Sequence, residues 1–468
     1  MSIQTDSSSA ETGRPDDTTL LDEVVARLRT LPVDDPARLR AERVAESFAR
    51  DGRVQRRRAR RDEGRSADRL ALAATATGAA DRRQDAPLDT QSGATTVLSR
   101  SRRCYACKEP YRELDEFYHQ LCPSCARLNR ERRDARTDLR GRRALVTGGR
   151  VKIGFQLALM MLRDGAEVLV TTRFPADTLR RFRAVHGSGG WLDRLTVVAV
   201  DLRDPRQVLA MCDEVRHGRP LDILVNNAAQ TLRRPPGSYA ALVVGEQEGV
   251  PGRVLRAPGF STAAAVDTSP GAQLTALGAR DAGGAALVAA GAPSSGTVDE
   301  AGLLPDLAPT NSWTASLGDL DPAEVLEVQL VNAVAPALLC DRLLPSLLAA
   351  PFERRYVVNV TAVEGRFAVR NKTDRHPHTN MAKAALNMLT RTSGPGLAEK
   401  GIYMTAVDTG WITDENPLPT RDRLADRGFR TPLDVIDGAA RVYDPIVRGE
   451  AGELLAGVFL KDYKEASW

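Results

Sequence analysis

Four cysteines in the first third of the chain have the spacing of a metal site. Cys104-x-x-Cys107 and Cys122-x-x-Cys125 enclose fourteen residues. Each Cys-x-x-Cys turn directs two sulfur atoms at one point, so that two turns together complete a tetrahedron of thiolates. The spacing therefore predicts a small structural zinc ribbon, in which no coordination position is left for water.

Two other arrangements of this segment stay open. The cysteines could form a pair of disulfides, although a cytosolic setting disfavours them, and His119, which lies in the loop, could replace a thiolate. Cys212 and Cys340 stand alone in predicted helices, where core packing is the expected role. We expect the large apolar side chains of the ribbon to pack against the domain that follows; these are Tyr105, Tyr111, Phe117 and Tyr118.

A glycine-rich turn, Gly148 to Gly154, lies between a predicted strand at 143–147 and a predicted helix at 155–164. Glycine lets the backbone approach a pyrophosphate, and the free amides at the start of the helix attract its charge. Further apolar strands are predicted at 166–172, 196–200, 221–225 and 355–360. The alternation predicts an α/β fold, a Rossmann-like doubly wound parallel sheet with helices on both faces, preceded by the small ribbon.

The motifs along these elements resemble those of the short-chain dehydrogenase/reductase family. Thr147-Gly148 through Ile153-Gly154 is similar to the family's Thr-Gly-x-x-x-Gly-x-Gly turn, except that Lys152 replaces the middle glycine. The resemblance implies an adenine contact at Asp201-Leu202, an Asn-Asn-Ala-Gly-like element at 226–229 and a nicotinamide border at 407–413. The cofactor-binding residues that it implies are Thr147, Gly148, Lys152, Ile153, Gly154, Arg173, Asp201, Leu202, Asn227, Lys383 and Ile412.

The end of the second predicted strand indicates which dinucleotide is expected. A reader of the ribose 2′-hydroxyl would place an acidic residue here, whereas this chain has Thr171-Thr172-Arg173. Arg173 can pair with a 2′-phosphate, so NADP is favoured over NAD. The competing interpretation is an Arg173 that faces solvent.

The catalytic positions implied by the resemblance are only partly kept. Asn332 and Lys383 match the family's asparagine and lysine, but Thr379 stands where the tyrosine belongs, and Thr361-Ala362 stands for Ser-Ser, with Ala362 at the second serine. The family's tyrosine donates a proton to the substrate carbonyl, and an aliphatic hydroxyl is a much weaker acid that one lysine cannot activate as far. Replacement donors could be His376, His378 or Tyr463.

Two functions follow from this pattern. The first is an NADP-dependent oxidoreductase that transfers a hydride to or from a small carbonyl or alcohol with a non-standard proton donor; its catalytic residues are Lys383, Asn332, Thr379 and Thr361. The alternative is a catalytically silent NADP-binding regulatory or scaffold protein, whose ribbon and basic arms bind a macromolecule. Members of the family commonly assemble as dimers or tetramers, which makes a homo-oligomer an expectation here too.

Composition and segment boundaries complete the prediction. With 42% hydrophobic and 27% charged residues, the chain lies in the globular range. No apolar run approaches the length of a membrane span, and the polar start at 1–17 predicts a cytoplasmic protein.

Three segments are expected along the chain: a partly disordered or helical region at 1–100, the ribbon at 101–130, and the dehydrogenase-like domain at 139–468. A low-complexity insertion interrupts the third segment at about 232–317. We expect this insertion to be partly disordered and to cover the substrate side or reach a partner.

The net charge of +4 does not indicate nucleic acid by itself. Two basic runs are nevertheless present, and each is interpreted as an exposed helical face or disordered arm, with binding of a polyanion as the alternative. The first comprises Arg53, Arg56, Arg57, Arg58, Arg60 and Arg61; the second comprises Arg130, Arg132, Arg133, Arg136, Arg140, Arg142 and Arg143.

Overall fold

The computed structural model describes residues 16–83, 85–89, 96–267, 298–305, 307–369 and 372–468. It divides into two compact units, Met1–Asp68 and Arg69–Trp468. The first unit contains helix α1 (Asp17–Arg29) and most of helix α2 (Pro36–Ala73). None of the described residues of these two helices is buried, in agreement with their low apolar content. Helix α2 is longer than its apolar pattern predicts and carries the first basic run.

The second unit is built on a nine-stranded sheet in the described part of the chain. Its strands are β3 (Arg143–Val146), β4 (Glu167–Thr172), β5 (Leu195–Ala199), β6 (Ile223–Asn226), β7 (Arg253–Arg256), β8 (Arg355–Thr361), β9 (Ile402–Asp408), β10 (Val458–Lys461) and β11 (Lys464–Ala466). The order across the sheet is β11-β10-β9-β8-β6-β3-β4-β5-β7, and every neighbouring pair is parallel except β10 and β11. The predicted mostly parallel sheet is confirmed.

Helices cover both faces of this sheet. They are α4 (Lys152–Arg163), α5 (Pro175–Ala184), α6 (Pro205–His217), α7 (Ala240–Glu246), α8 (Thr262–Asp267), α9 (Pro322–Gln329), α10 (Ala335–Leu348), α11 (Pro377–Ala398), α12 (Leu418–Asp426) and α13 (Val435–Glu450). Two apolar clusters lie on opposite faces of the strands, one with Val146 and Val170 and the other with Leu145 and Leu169. Consecutive strand residues point to opposite faces, which is why a strand buried on both sides is apolar throughout.

Helices α9 and α10 are joined by a π-helical turn, Leu330–Val334, and form one apolar run from Pro322 to Leu348. By length and composition alone this run could cross a membrane, so the expectation that no apolar run approaches that length is wrong. In the fold, its side chains Leu339 and Leu343 pack with Leu224 and Val357 of the sheet. The apolar character therefore has a packing role.

The insertion between β6 and α9 contains more regular structure than its composition predicts. It forms α7, strand β7 and α8, and β7 extends the sheet beside β5. Residues 268–297 of the insertion lie outside the described residues. Strand β7 has few apolar residues in an alternating pattern. It is stabilised by pairing with the edge of β5, and a local sequence pattern does not reveal such pairing.

The cysteine segment consists of a two-stranded antiparallel sheet, β1 (Thr96–Arg103) with β2 (Pro110–Leu114), followed by helix α3 (Pro123–Arg133). Its buried residues Tyr111, Phe117 and Tyr118 form one cluster with Leu433 and Val435. The Tyr118 hydroxyl donates a hydrogen bond to Asp437 Oδ1 at 2.6 Å. The expected packing of the ribbon aromatics against the following domain is confirmed.

The second basic run is not an exposed arm. Arg133, Arg142 and Arg143 are buried. Arg133 pairs with Asp434 and with Asp437, the latter at 3.1 Å, and Arg142 pairs with Glu450 at 2.6 Å. Buried guanidinium groups need carboxylate partners. Those of Arg133 and Arg142 belong to α13 or to Asp434 directly before it, whereas Arg143 lies 3.6 Å from Glu167 of β4. For these three arginines both interpretations made from sequence are wrong, because their charges hold the fold together.

Candidate active site

A cavity of about 1030 Å³ lies at the carboxyl ends of the parallel strands. Elements far apart in the sequence line it, including the glycine turn, the ends of β4, β5, β6, β8 and β9, and residues of the insertion. In open α/β sheets ligands bind in this position, and a cavity of this size accommodates a cofactor together with a small substrate. This places most of the expected site residues around one space.

Hydrogen bonds between Thr147 and the segment after β6 hold the glycine turn in place. Thr147 does not line the cavity; its hydroxyl accepts hydrogen bonds from the backbone amides of Asn227, at 3.0 Å, and Ala228, at 2.9 Å. The Asn227 side chain in turn donates to the Thr147 carbonyl at 3.0 Å. A Cβ on Gly154 would lie 2.2 Å from the Gly148 carbonyl oxygen. Thr147 and Asn227 thus shape the turn, and Asn227 lines the cavity together with Gly148, Ile153 and Gly154.

Lys152 stands where the resemblance implies a glycine, and its backbone has a conformation that favours glycine. Its φ is +54°, in the left-handed region. Its Nζ lies 3.2 Å from Asp85 and 3.6 Å from Glu415, a residue of the segment after β9. Burial alone would raise the pKa of Glu415, but the charge of Lys152 holds that pKa below its usual value. One ammonium group therefore compensates two carboxylates beside the turn.

Arg173 lies at the end of β4 and lines the cavity. Its guanidinium is 3.3 Å from both the Ala265 carbonyl and the Tyr239 hydroxyl, and it stacks over the ring of Tyr239, 5.1 Å from the centroid. The contacts described for Arg173 are thus with uncharged groups. The neighbouring cavity arginine Arg150 is different, because it pairs with Asp177 at 2.8 Å.

Asp201 and Leu202 follow β5 and line the same end of the cavity. The carboxylate of Asp201 is paired with Arg203 at 2.7 Å. Residues of the insertion, including Tyr239 and Leu303, close this end. Trp313, near the end of the insertion, lines the cavity as well. The sequence predicts that the insertion covers the substrate side; it also lines the part of the cavity that contains Arg173 and Asp201.

Lys383 enters the cavity from α11 and is fully buried by its surroundings. Its Nζ donates a hydrogen bond to the Val360 carbonyl at 2.9 Å. Burial lowers the pKa of this lysine to about 8. Thr361 and Ala362 line the cavity beside it, and the Thr361 hydroxyl donates to the Lys383 carbonyl at 3.3 Å. The hydroxyl of Thr361 is accordingly engaged with the helix backbone.

Asn332 and Thr379 are not among the cavity-lining residues. Asn332 lies in the π-helical turn, where its amide oxygen accepts from the Gln230 amide at 2.7 Å and its Nδ2 donates to the Gln230 carbonyl at 2.9 Å. It anchors the chain after β6, as a positioning residue does. The Thr379 hydroxyl is buried and has no hydrogen-bond partner among the described residues. The residue at the tyrosine position is thus not one of the residues that line the cavity.

The three other candidate donors also lie off the cavity lining. His376 stacks on Trp313, with ring centroids 4.1 Å apart. His378 is buried, and burial lowers the pKa of its imidazole. Tyr463 packs with Arg441, whose guanidinium lies 4.9 Å from the ring centroid. None of these three residues therefore contributes to the cavity lining.

Glu364 is a cavity residue to which the sequence analysis gave no role. It follows β8 in the turn Val363–Gly365 and lines the cavity together with Lys383. A Cβ on Gly365 would lie 2.7 Å from the Lys383 carbonyl carbon, so this turn packs tightly on α11. Burial raises the pKa of Glu364. Its place directly after a parallel strand is the signal from which it could have been found.

The cysteine segment also reaches the cavity. Tyr105, inside the first Cys-x-x-Cys turn, and Lys108, directly after it, line the cavity. Asp408 and Lys461, at the ends of β9 and β10, line it as well. The Lys461 Nζ lies 5.6 Å from the centroid of the Tyr105 ring. Burial raises the pKa of Tyr105 to about 12. The sequence analysis assigned Tyr105 only to packing.

The four cysteines of the predicted metal site converge. The Sγ atoms of Cys104, Cys107, Cys122 and Cys125 lie within 4.8 Å of one another, and each is a free thiol. Such a cluster of sulfurs is compatible with a tetrahedral metal ion. His119 is not in the cluster; its Nδ1 lies 2.8 Å from the Thr77 hydroxyl. The disulfide arrangement and the histidine ligand are thereby disfavoured.

Comparison with known proteins identifies relatives over different lengths of the chain. The short chain dehydrogenase family matches residues 142–241. The uncharacterized protein R665 of Acanthamoeba polyphaga mimivirus is 32% identical over 362 residues, which cover 74% of this chain and 71% of that protein. A probable oxidoreductase of Streptomyces antibioticus is 44% identical over 93 residues, covering 19% of this chain and 30% of its relative.

Solved structures match as well. A short chain dehydrogenase from Burkholderia cenocepacia in complex with NADP is 22% identical and covers 69% of this chain and 97% of its own, with a TM-score of 0.44. An NADPH-bound carbonyl reductase from chicken fatty liver is 20% identical and covers 70% of this chain and 100% of its own, with a TM-score of 0.42.

Proposed function

We propose that this chain, in which residues 142–241 match the short chain dehydrogenase family, is an NADP-dependent oxidoreductase acting on a small carbonyl compound or alcohol. The observation that carries the proposal is the single cavity lined by the glycine turn, Arg173, Lys383 and Ile412. These groups belong to four separate parts of the fold. Their convergence at the carboxyl ends of the strands supports a dinucleotide site.

The residues present fit an NADP molecule. Gly148 and Gly154 keep the turn open, and the start of α4 offers free amides to a pyrophosphate. Arg173 has only uncharged partners in its described contacts, so its guanidinium can pair with a 2′-phosphate. Lys383 would hold the nicotinamide ribose. When bound, the reduced nicotinamide supplies a hydride.

A structural zinc ion in the cluster of four cysteines is part of the proposal. Its role is to fold the segment that carries Tyr105 and Lys108 to the cavity, because a segment of this size buries little apolar surface without a metal. Four thiolates leave no open position for a substrate or water.

A second function is supported by a specific observation. The Thr379 hydroxyl lies off the cavity, and Ala362 lines it at the position of the family's second serine. Both groups of the usual proton relay are thereby missing, which favours a protein that binds NADP without turnover. In that case the exposed basic face of α2 and the cysteine segment would be the surfaces for a macromolecular partner.

One experiment separates the two functions. NADPH fluorescence is titrated first with the purified full chain, and NADPH oxidation is then followed with a panel of aldehydes, ketones and aromatic diketones. The oxidoreductase binds NADPH and oxidises it with at least one carbonyl class. A silent binder shows the same titration and no oxidation with the panel, whereas absence of binding contradicts both functions.

A further inference from the structure

The residue that supplies a proton in the cavity is the missing part of the proposed reaction. Thr379, His376, His378 and Tyr463 do not line the cavity. Among the described residues that line it, Glu364 is the carboxylic acid next to Lys383 on the side of β8.

We propose that Glu364 is the proton donor and acceptor of this site and replaces the tyrosine relay. This inference rests on the proposed oxidoreductase function. Its geometric basis is the short turn Val363–Gly365, which the Lys383 backbone contacts closely enough that no side chain fits at Gly365. Asp408 Oδ1 accepts a hydrogen bond from the Val363 amide at 3.3 Å and ties the other side of the turn to β9.

Burial of Glu364 favours the protonated form of its carboxyl group. Desolvation is the main cause of its raised pKa, and the carboxylate of Asp408 adds to the effect, while Lys372 and Lys383 oppose it. An acid with a pKa closer to neutrality than that of ordinary glutamate can both donate a proton and be recharged at physiological pH. By contrast, the Thr379 hydroxyl cannot be brought into this range.

In the direction of carbonyl reduction, the Glu364 carboxyl O–H donates its proton to the carbonyl oxygen as the bound cofactor's hydride adds to the carbonyl carbon. The C=O double bond becomes a C–O single bond, with one new C–H and one new O–H bond, and the products are an alcohol and NADP⁺. The Glu364 carboxylate is then reprotonated by a proton from the solvent, so that the overall reaction consumes one hydride and one proton. Lys383 stabilises this transient carboxylate from α11.

The first test does not depend on turnover. Infrared difference spectra of the full chain without nucleotide are recorded from acid to alkaline pH, and the C=O stretch of protonated carboxyl groups is followed. Burial raises the pKa of other carboxyl groups too, among them Asp222 and Glu324, so the variants are compared with the parent chain. We expect a component of the band that titrates above ordinary glutamate and is lost in Glu364→Gln but kept in Glu399→Gln, an exposed residue after α11. An unchanged band in Glu364→Gln overturns the inference.

The second test measures catalysis with the carbonyl compound that the panel identifies. Glu364→Gln keeps shape and removes the proton, so kcat should fall by about 100-fold or more while the Kd for NADPH changes less than roughly threefold. Glu399→Gln should match the parent chain. Wild-type turnover in Glu364→Gln overturns the donor assignment alone. Failure of the parent chain to bind NADPH overturns the proposed function, while the infrared titration still decides the state of Glu364.

Discussion

The Tyr105 hydroxyl accepts a hydrogen bond from the backbone N–H of Trp411 at 2.9 Å. Tyr105 lies between Cys104 and Cys107, and Trp411 lies in the segment after β9 that lines the cavity. The cluster of four cysteines is thus connected to the wall of the candidate active site by one side chain. A metal ion bound by the four cysteines would in this way influence the affinity of the candidate active site for NADPH.

Tyr105→Phe should weaken NADPH binding without unfolding the chain. The variant loses one hydrogen bond, worth about 1 kcal/mol, and leaves the cavity wall at Trp411 less restrained, so we expect a several-fold higher Kd. Tyr111→Phe is the matched control, because its hydroxyl donates to the His119 carbonyl at 3.1 Å and does not line the cavity. Fluorescence titration and thermal unfolding measure the two effects. Equal Kd values for both variants would argue against the connection.

Metal analysis of the purified chain should find one zinc ion per chain. Cys104→Ser removes a ligand and should abolish stoichiometric zinc, whereas Cys340→Ser, outside the cluster, should retain it. Chelation should raise the Kd for NADPH, because the segment that carries Tyr105 loses its fold. Mass spectrometry of the metal content measures the number of zinc ions per chain. Stoichiometric zinc in Cys104→Ser would rule out the four-thiolate site.

Lys152→Gly should weaken NADPH binding although glycine suits the left-handed backbone there. The substitution leaves Asp85 and Glu415 without their compensating charge beside the proposed phosphate site, and we expect a Kd on the order of tenfold higher. Adding Glu415→Gln to the variant should restore part of the affinity. If the double variant binds no better than Lys152→Gly, the electrostatic explanation is incorrect. Calorimetric titration of the parent chain and both variants with NADPH, at two salt concentrations, gives the Kd values to be compared.

The burial of Lys383 predicts a pH dependence of stability. Its pKa is lowered from 10.5 to about 8 in the folded chain, so between these pH values the unfolded chain binds a proton that the folded chain does not. Stability should therefore rise with pH across this window, by roughly 3 kcal/mol for this group. Lys383→Met should lack this rise and Lys400→Met, an exposed control, should keep it. Denaturant unfolding at pH 8 and above provides the measurement; parallel curves for Lys383→Met and the parent would refute the assignment.

The sheet and the nucleotide-facing residues are predictable because local patterns encode them. Apolar strands such as 143–147 and 355–360, and the turn from Gly148 to Gly154, appear in the sequence as continuous signals, and the structure gives strands within one or two residues of those bounds. Strand β7 is different. Its pairing with the edge of β5 depends on a contact across more than fifty residues, which no local pattern contains.

The catalytic side of the site is less predictable for a similar reason. The sequence identified Lys383 by its motif and placed Thr379 near it, but only the folded chain reveals that the cavity receives Lys383 without Thr379. Glu364 and Tyr105 enter the same cavity from a turn and from the cysteine segment. Neither belongs to a recognisable motif, because their role depends on tertiary packing.

The account depends most directly on an NADP site at Arg173. Calorimetric titration of the full chain with NADPH and NADH, repeated with Arg173→Ala, tests it. We predict one NADPH per chain, a clear preference over NADH, and loss of that preference in the variant because the 2′-phosphate loses its guanidinium partner. Absence of binding of either nucleotide to the parent chain would contradict the account.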